Sequence, residues 1–335
     1  FWRVVKSRKG RISAPINSDF SSLNDYITKT RSKIATDKYH TSLPILVHYP
    51  VNRAILDIPL RIPGKYTFAA LENYEDALTG GANFRQFFSW FREREDTEYE
   101  YRKHHESSPS PQDYCYYDPK LEAVRQALNK ILPDFENLTV RRNPLRMEIQ
   151  KNGETFKVEQ LSDGEKCLIA MISDLARRLA IANPTGNPLE GEGIILIDEI
   201  DLHLHPRWQR MILPQLLKTF PRCQFFVSTH SPLMLTHVKP ENIYLLQQKG
   251  NSIYAEQPSE SYGKTVERIL EYLMELDTTR PDEVNHQLNQ IYEMIDNNQL
   301  ENAQENIDKM KQNIGNDPDL VKAEVLIRRK ELLGK

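Results

Sequence analysis

The sequence predicts an α/β protein, with a parallel or mixed sheet, flanking helices, an inserted helical pair and a helical C-terminal region. Three observations carry this. The runs Gly193-Ile194-Ile195-Leu196-Ile197 and Gln224-Phe225-Phe226-Val227 are short and almost wholly apolar, as strands buried on both faces are, and the stretch between them suits a crossover helix. Just upstream, Leu168, Ile172, Leu175 and Leu179 recur at helical spacing. After Gly263 the pattern is helical to the last residue.

Composition agrees with a globular chain. Of 335 residues, 39% are hydrophobic and 27% charged, which excludes a disordered polymer and gives a prior of about two domains. No run approaches the roughly 18 apolar residues of a membrane span. Cys115, Cys167 and Cys223 are too few and scattered for a disulfide framework, so a reducing, cytoplasmic setting is expected. The start, Phe1-Trp2-Arg3-Val4-Val5, has neither initiator Met nor signal pattern and is expected of a truncated chain. Residues 1–65 hold 12 Lys/Arg against 4 Asp/Glu, and residues 266–335 hold 9 against 15. Such ends could steer toward nucleic acid and a basic partner, although a solvated face is the more common meaning.

In chain order, residues 2–5 read as a strand and residues 22–33 as a helix capped by Ser21-Ser22. Residues 43–49 read as a strand buried on both faces. A helix over 83–103 carries Phe84, Phe87, Phe88, Trp90 and Phe91, a stripe expected in a core more often than as a base-stacking platform. Ser107-Ser108-Pro109-Ser110-Pro111 is a loop, and 119–132 a second helix. Strands follow at 138–142, 145–151 and 155–159, the last two joined by Asn152-Gly153, a strong hairpin signal. The C-terminal helices fall at 266–276, 282–297, 300–313 and 319–333 and read as a bundle.

The chemistry gathers at strand ends. Asp198 and Glu199 follow the first apolar run directly, at the carboxyl edge where parallel sheets bind ligands. Adjacent acids there suit a hydrated Mg2+, held by Asp198 through water, and an attacking water activated by Glu199 as general base. The alternative is a strand that simply ends in acidic residues. His230, 32 residues after Asp198 at the end of the second run, is placed beside both acids, where an imidazole can hydrogen-bond a γ-phosphate oxygen. Ser162-Asp163-Gly164-Glu165 forms a capping box, and a serine hydroxyl with exposed N–H groups at a helix start makes an anion site. His203 and His205 are a lone H-x-H without the further ligands zinc needs. Gly263-Lys264-Thr265 imitates the end of a Walker A, but Pro258 stands where its first glycine belongs.

Together these segments resemble the nucleotide-binding half of ABC-type ATPases, the group that includes SMC, RecF and OLD-like proteins. Leu161-Ser162-Asp163-Gly164-Glu165 is similar to their signature motif, with Asp163 and Glu165 in place of the usual Gly and Gln. Gly193 to Glu199 is similar to Walker B, Ile200-Asp201-Leu202-His203-Leu204-His205-Pro206 to the D-loop, and His230 to the switch histidine. The resemblance implies a P-loop-type ATPase head over 1–82 and 136–265, with 83–135 a helical insertion; the acidic helical tail 266–335 is either a docking element for a partner or a bundle packed on its own head. It implies ATP and Mg2+ as ligands and a Walker A upstream of Phe1. Asn52 and Arg53 fall in the Q-loop region, where either a nucleotide contact or an ordinary surface loop is open. It also implies head-to-tail homodimers or higher homo-oligomers. In these, Ser162, Asp163, Gly164 and Asp201 of one protomer meet nucleotide held by Asp198, Glu199 and His230 of the other.

Asp317-Pro318-Asp319 reads as a helix start, not as the D-x-D of OLD-like nucleases, so no nuclease activity of its own is expected. As a whole the chain is similar to the PtuA-type ATPases of Septu and retron-associated anti-phage defence. Their resemblance implies an HNH nuclease partner of the PtuB type, and in the retron case a reverse transcriptase with multicopy single-stranded DNA. The alternative is an ATP-gated clamp or scaffold in DNA repair, with little turnover.

Overall fold

A computed structural model describes residues 18–37, 41–51, 74, 76–79, 82–106 and 116–333. The expected strand at 2–5, the 107–111 loop, Cys115, Asn52 and Arg53 lie outside these residues. The protein is α/β, with two compact units dividing after Met234.

In the first unit, α1 (Ser21–Thr36) starts without a side-chain cap. The expected Ser21-Ser22 cap gives way to Asp19, whose Oδ1 accepts from the Ser21 N–H at 3.0 Å and the Ser21 hydroxyl at 2.8 Å. A carboxylate preceding the helix is the stronger acceptor. Strand β1 (Ile45–Tyr49) follows.

Helices α2 (Phe84–Glu106) and α3 (Pro119–Ile131) follow β1. The aromatic stripe of α2 is core: Phe84, Phe87, Phe88, Trp90 and Phe91 are all buried. Asp118 caps α3 by accepting from the N–H groups of Lys120 and Leu121. Strands β2 (Phe135–Arg142), β3 (Leu145–Lys151) and β4 (Glu154–Lys157) form an antiparallel sheet. In the β3–β4 turn, Asn152 and Gly153 have φ of 52° and 83°, both in the left-handed region that a two-residue hairpin loop demands. β2 begins three residues earlier than its alternation suggests, because a register shift between Glu136 and Thr139 interrupts the pattern. β4 stops short of 159, since residues 158–160 wind into a 3-10 turn.

Next come α4 (Asp163–Ala182), β5 (Gly193–Ile197), α5 (Pro206–Thr219) and β6 (Cys223–Val227). The parallel sheet has the order β1-β5-β6. The expected crossover is therefore present, with β5 central. The expected burial of β1 and β5 on both faces is not. Val47, Tyr49, Ile195 and Ile197 point into the core, whereas Leu46, Ile194 and Phe226 on the other face are exposed. Among the described residues the core lies on one face, where Tyr49 meets α4 through a hydrogen bond to Asp174. α4 is buried from Cys167 to Ala182, well beyond the one face its periodicity marks.

The second unit holds the hairpin β7 (Leu245–Lys249) and β8 (Ser252–Glu256), then α7 (Val266–Tyr272), α8 (Asp282–Asp296), α9 (Leu300–Ile314) and α10 (Pro318–Leu333). α8, α9 and α10 pack around a core of their own, including Leu288, Ile291, Ile307, Met310, Leu320 and Ile327. Asp317 accepts the Asp319 N–H at the start of α10, and Arg280 forks onto Asp317 and Asp319, so these acids do serve a helix start. Gly263 takes φ of 74° in a turn and Thr265 caps α7, the structural use of the Walker A imitation. No helix among the described residues is long and apolar enough to cross a membrane.

Candidate functional site

Parallel pairing builds the site. β5 hydrogen-bonds to β1 on one side and β6 on the other, with Ile197 opposite both Tyr49 and Val227. The residues just beyond these positions therefore share one sheet edge. The Asp198 N–H donates to the Tyr49 carbonyl at 2.9 Å, which fixes the first acid. Its side chain accepts from His48 Nε2 on β1, also at 2.9 Å.

Glu199 turns the chain off the strand. Its φ of 46° lies in the left-handed region, an uncommon state for a residue with a side chain. Residue 228, just past β6, holds it there. The Ser228 Oγ accepts the Glu199 N–H at 2.9 Å, and the Ser228 carbonyl accepts the Ile200 N–H at 3.1 Å. Thr229 then donates to the Asp201 carboxylate. Beyond this clasp, His230 Nε2 lies 3.4 Å from Glu199 Oε1. The His230 side chain is 86% exposed, and that of Glu199 30%. Asp198, Glu199 and His230 are thus brought together as their spacing predicts.

The segment after Asp201 folds on itself, with the Leu202 and Leu204 N–H groups donating to the Glu199 and Asp201 carbonyls. His203 takes φ of 62°. Of the H-x-H, His205 Nδ1 accepts the Arg207 N–H as the cap of α5, and the backbone carbonyl of His203 packs on Gly164.

At the start of α4 the capping box is complete. Glu165 Oε2 accepts from the Ser162 N–H at 2.8 Å and the Ser162 hydroxyl at 2.9 Å, and Lys151 Nζ reaches Oε1 at 2.6 Å. Burial pushes the Glu165 carboxyl upward, but Lys151 and Ser162 outweigh it and hold it below its usual range. Asp163 is exposed and held low by Lys166. Gly164 is buried, and a Cβ there would sit 2.2 Å from the His203 carbonyl oxygen. Within one protomer, then, Gly164 adjoins the turn at His203, and Asp201 is tied to the loop that carries His230.

Tyr49 also anchors this helix. Its hydroxyl donates to Asp174, which also accepts from Arg177 and Arg178 at 2.7 Å each. All four are buried. Burial raises the Tyr49 hydroxyl, and Asp174 raises it further. Burial works against the Asp174 carboxylate, but the two guanidiniums hold it below its ordinary value.

Sequence reasoning gave no role to His48, Ser228 or Thr229. Their signal is strand register: once β1 and β6 flank β5 in parallel, these residues fall beside Asp198 and Glu199.

Residues 65–236, about half of the chain, match the protein family described as "AAA domain, putative AbiEii toxin, Type IV TA system". The chain belongs to that family. It is 33% identical over 287 residues to the retron Vc95 probable ATPase of Vibrio cholerae serotype O1 biovar El Tor, covering 73% of this chain and 55% of that one. It is also 33% identical over 333 residues to the retron Ec83 probable ATPase of Escherichia coli, covering 83% and 60%. A shorter stretch of 117 residues is 41% identical to the Septu protein PtuA of Bacillus mycoides (strain KBAB4), covering 34% and 16%. The chain spans little more than half the length of the two retron relatives.

Proposed function

We propose that this chain is the ATP-binding and hydrolysing part of a retron- or Septu-type anti-phage defence ATPase. The observation that carries the reading is the convergence of Asp198, Glu199 and His230 at the ends of two neighbouring parallel strands, with Glu199 and His230 3.4 Å apart. A pure nucleotide binder needs no base at that edge. Glu199 takes a proton from the attacking water, and His230 donates to a γ-phosphate oxygen. Ser228 holds Glu199 in its turned conformation, so that the carboxylate leaves the sheet edge toward the imidazole.

The residues fit Mg2+. Asp198 and Glu199 offer hard carboxylate oxygen donors, partly exposed at the end of β5. Mg2+ suits such a site, since it keeps several waters and takes one or two carboxylates plus phosphates. When bound, Mg2+ would offset phosphate charge as the leaving group departs. Asp198 would hold it through water.

In this reading the start of α4, with Ser162, Asp163 and Gly164, and the Asp201 turn meet nucleotide across a head-to-tail homodimer. The tail 266–335 is the docking element for an HNH nuclease, with a reverse transcriptase and its multicopy single-stranded DNA in a retron setting. Its support is the separate core of α8, α9 and α10 and the acidic excess of the segment.

Glu199→Gln in the full-length protein is expected to abolish phosphate release while ATP-dependent dimers persist. Wild-type phosphate release by that variant would overturn the assignment. Pull-downs from the native host with and without 266–335 check the tail, and a nuclease retained after deletion removes it as the docking element.

A further inference from the structure

We propose that His48 is a positioning residue for Asp198, setting how its carboxylate is turned toward a nucleotide-bound Mg2+. This rests on the ATP-binding reading above. A carboxylate only accepts, so the 2.9 Å contact has His48 Nε2–H as donor and Asp198 Oδ2 as acceptor.

Both ends of the contact are fixed by backbone. The His48 N–H donates to the Ala77 carbonyl at 2.7 Å, and the Asp198 N–H to the Tyr49 carbonyl at 2.9 Å. The imidazole therefore meets the carboxylate because of strand pairing, across 150 residues of sequence, and not through the reach of a long mobile side chain. The two side chains are 29% and 49% exposed, and a pair that wet adds about 0–1 kcal/mol to stability. Its physical effect lies elsewhere: a donor on one carboxylate oxygen removes the rotational freedom of the other. Partners of this kind orient metal-binding carboxylates, and their loss costs about 10-fold or more in metal affinity.

The test uses full-length protein carrying Glu199→Gln, so that nucleotide binds without turnover, and measures ATP affinity across a Mg2+ titration. His48→Ala is expected to raise the half-saturating Mg2+ about 10-fold and to leave ATP affinity in EDTA unchanged. His48→Gln, which keeps an N–H donor, is expected to titrate close to the parent. An Ala variant with the parent's Mg2+ midpoint overturns the proposal, as do Ala and Gln variants impaired alike. An Ala variant that melts far below the parent also overturns it, because the contact is then structural. A parent that binds ATP no better with Mg2+ than without overturns the nucleotide reading instead, which separates the two failures.

Discussion

The start of α4 and the end of β5 carry the two halves of the candidate site, and they are held in opposite ways. At α4 the polar groups close on one another: Ser162 on Glu165, Glu165 on Lys151, and Gly164 against the His203 carbonyl. At β5, His230 stands largely in solvent and Asp198 is half-exposed, while Glu199 occupies a left-handed conformation that costs about 1–3 kcal/mol. The first arrangement lowers the free energy of the fold. The second raises it, and strained residues of this kind persist where the surrounding structure over-determines them, as the Ser228 and Thr229 clasp does here.

The comparison breaks most severely at Asp174, in the middle of α4. Asp174→Ala leaves the buried guanidiniums of Arg177 and Arg178 without their shared carboxylate, and urea unfolding is expected to show a loss of about 3–5 kcal/mol. A loss below about 1 kcal/mol contradicts the account of α4 as the closed half. Gly164→Ala comes next. Its methyl must displace the His203 carbonyl, with an expected cost of about 1–3 kcal/mol. The matching truncation on the open half, His230→Ala, is expected to change stability by no more than about 0.5 kcal/mol while removing turnover. Equal destabilisation by the two variants erases the contrast.

The smallest effect concerns pH. The Glu165 carboxyl is held low in the folded chain, so its contribution is complete above the ordinary glutamate range, near about pH 4.3, and fades as pH falls through the lower folded value. The melting difference between the parent and Glu165→Gln is therefore expected to be constant near neutrality and to shrink in acid. A difference that grows in acid reverses the sign.

Much of this was legible because its causes are local. The capping box at Ser162, the Asn152-Gly153 turn and the Pro206 start of α5 each depend on residues within a few positions of one another. Asp198, Glu199 and His230 were legible because two apolar runs with a helix between them permit one parallel arrangement. His48 was not, because nothing near it announces which strand lies beside β1. Nor was the exposure of Leu46, Ile194 and Phe226, since an apolar run reads the same whether one or both of its faces are covered. Gly164 reads as an anion-loop glycine, yet its size is dictated by a carbonyl 39 positions later.

The placement of β1 beside β5 also sets a clock. His48 leaves the ribosome 150 residues ahead of Asp198. At about 5–20 residues per second, on the order of ten to thirty seconds separate them. Through that interval β1 has no neighbour on its β5 side, and the acids and the imidazole do not yet exist in one place. A nascent chain that stops before residue 198 therefore carries the imidazole without the acids it is to meet.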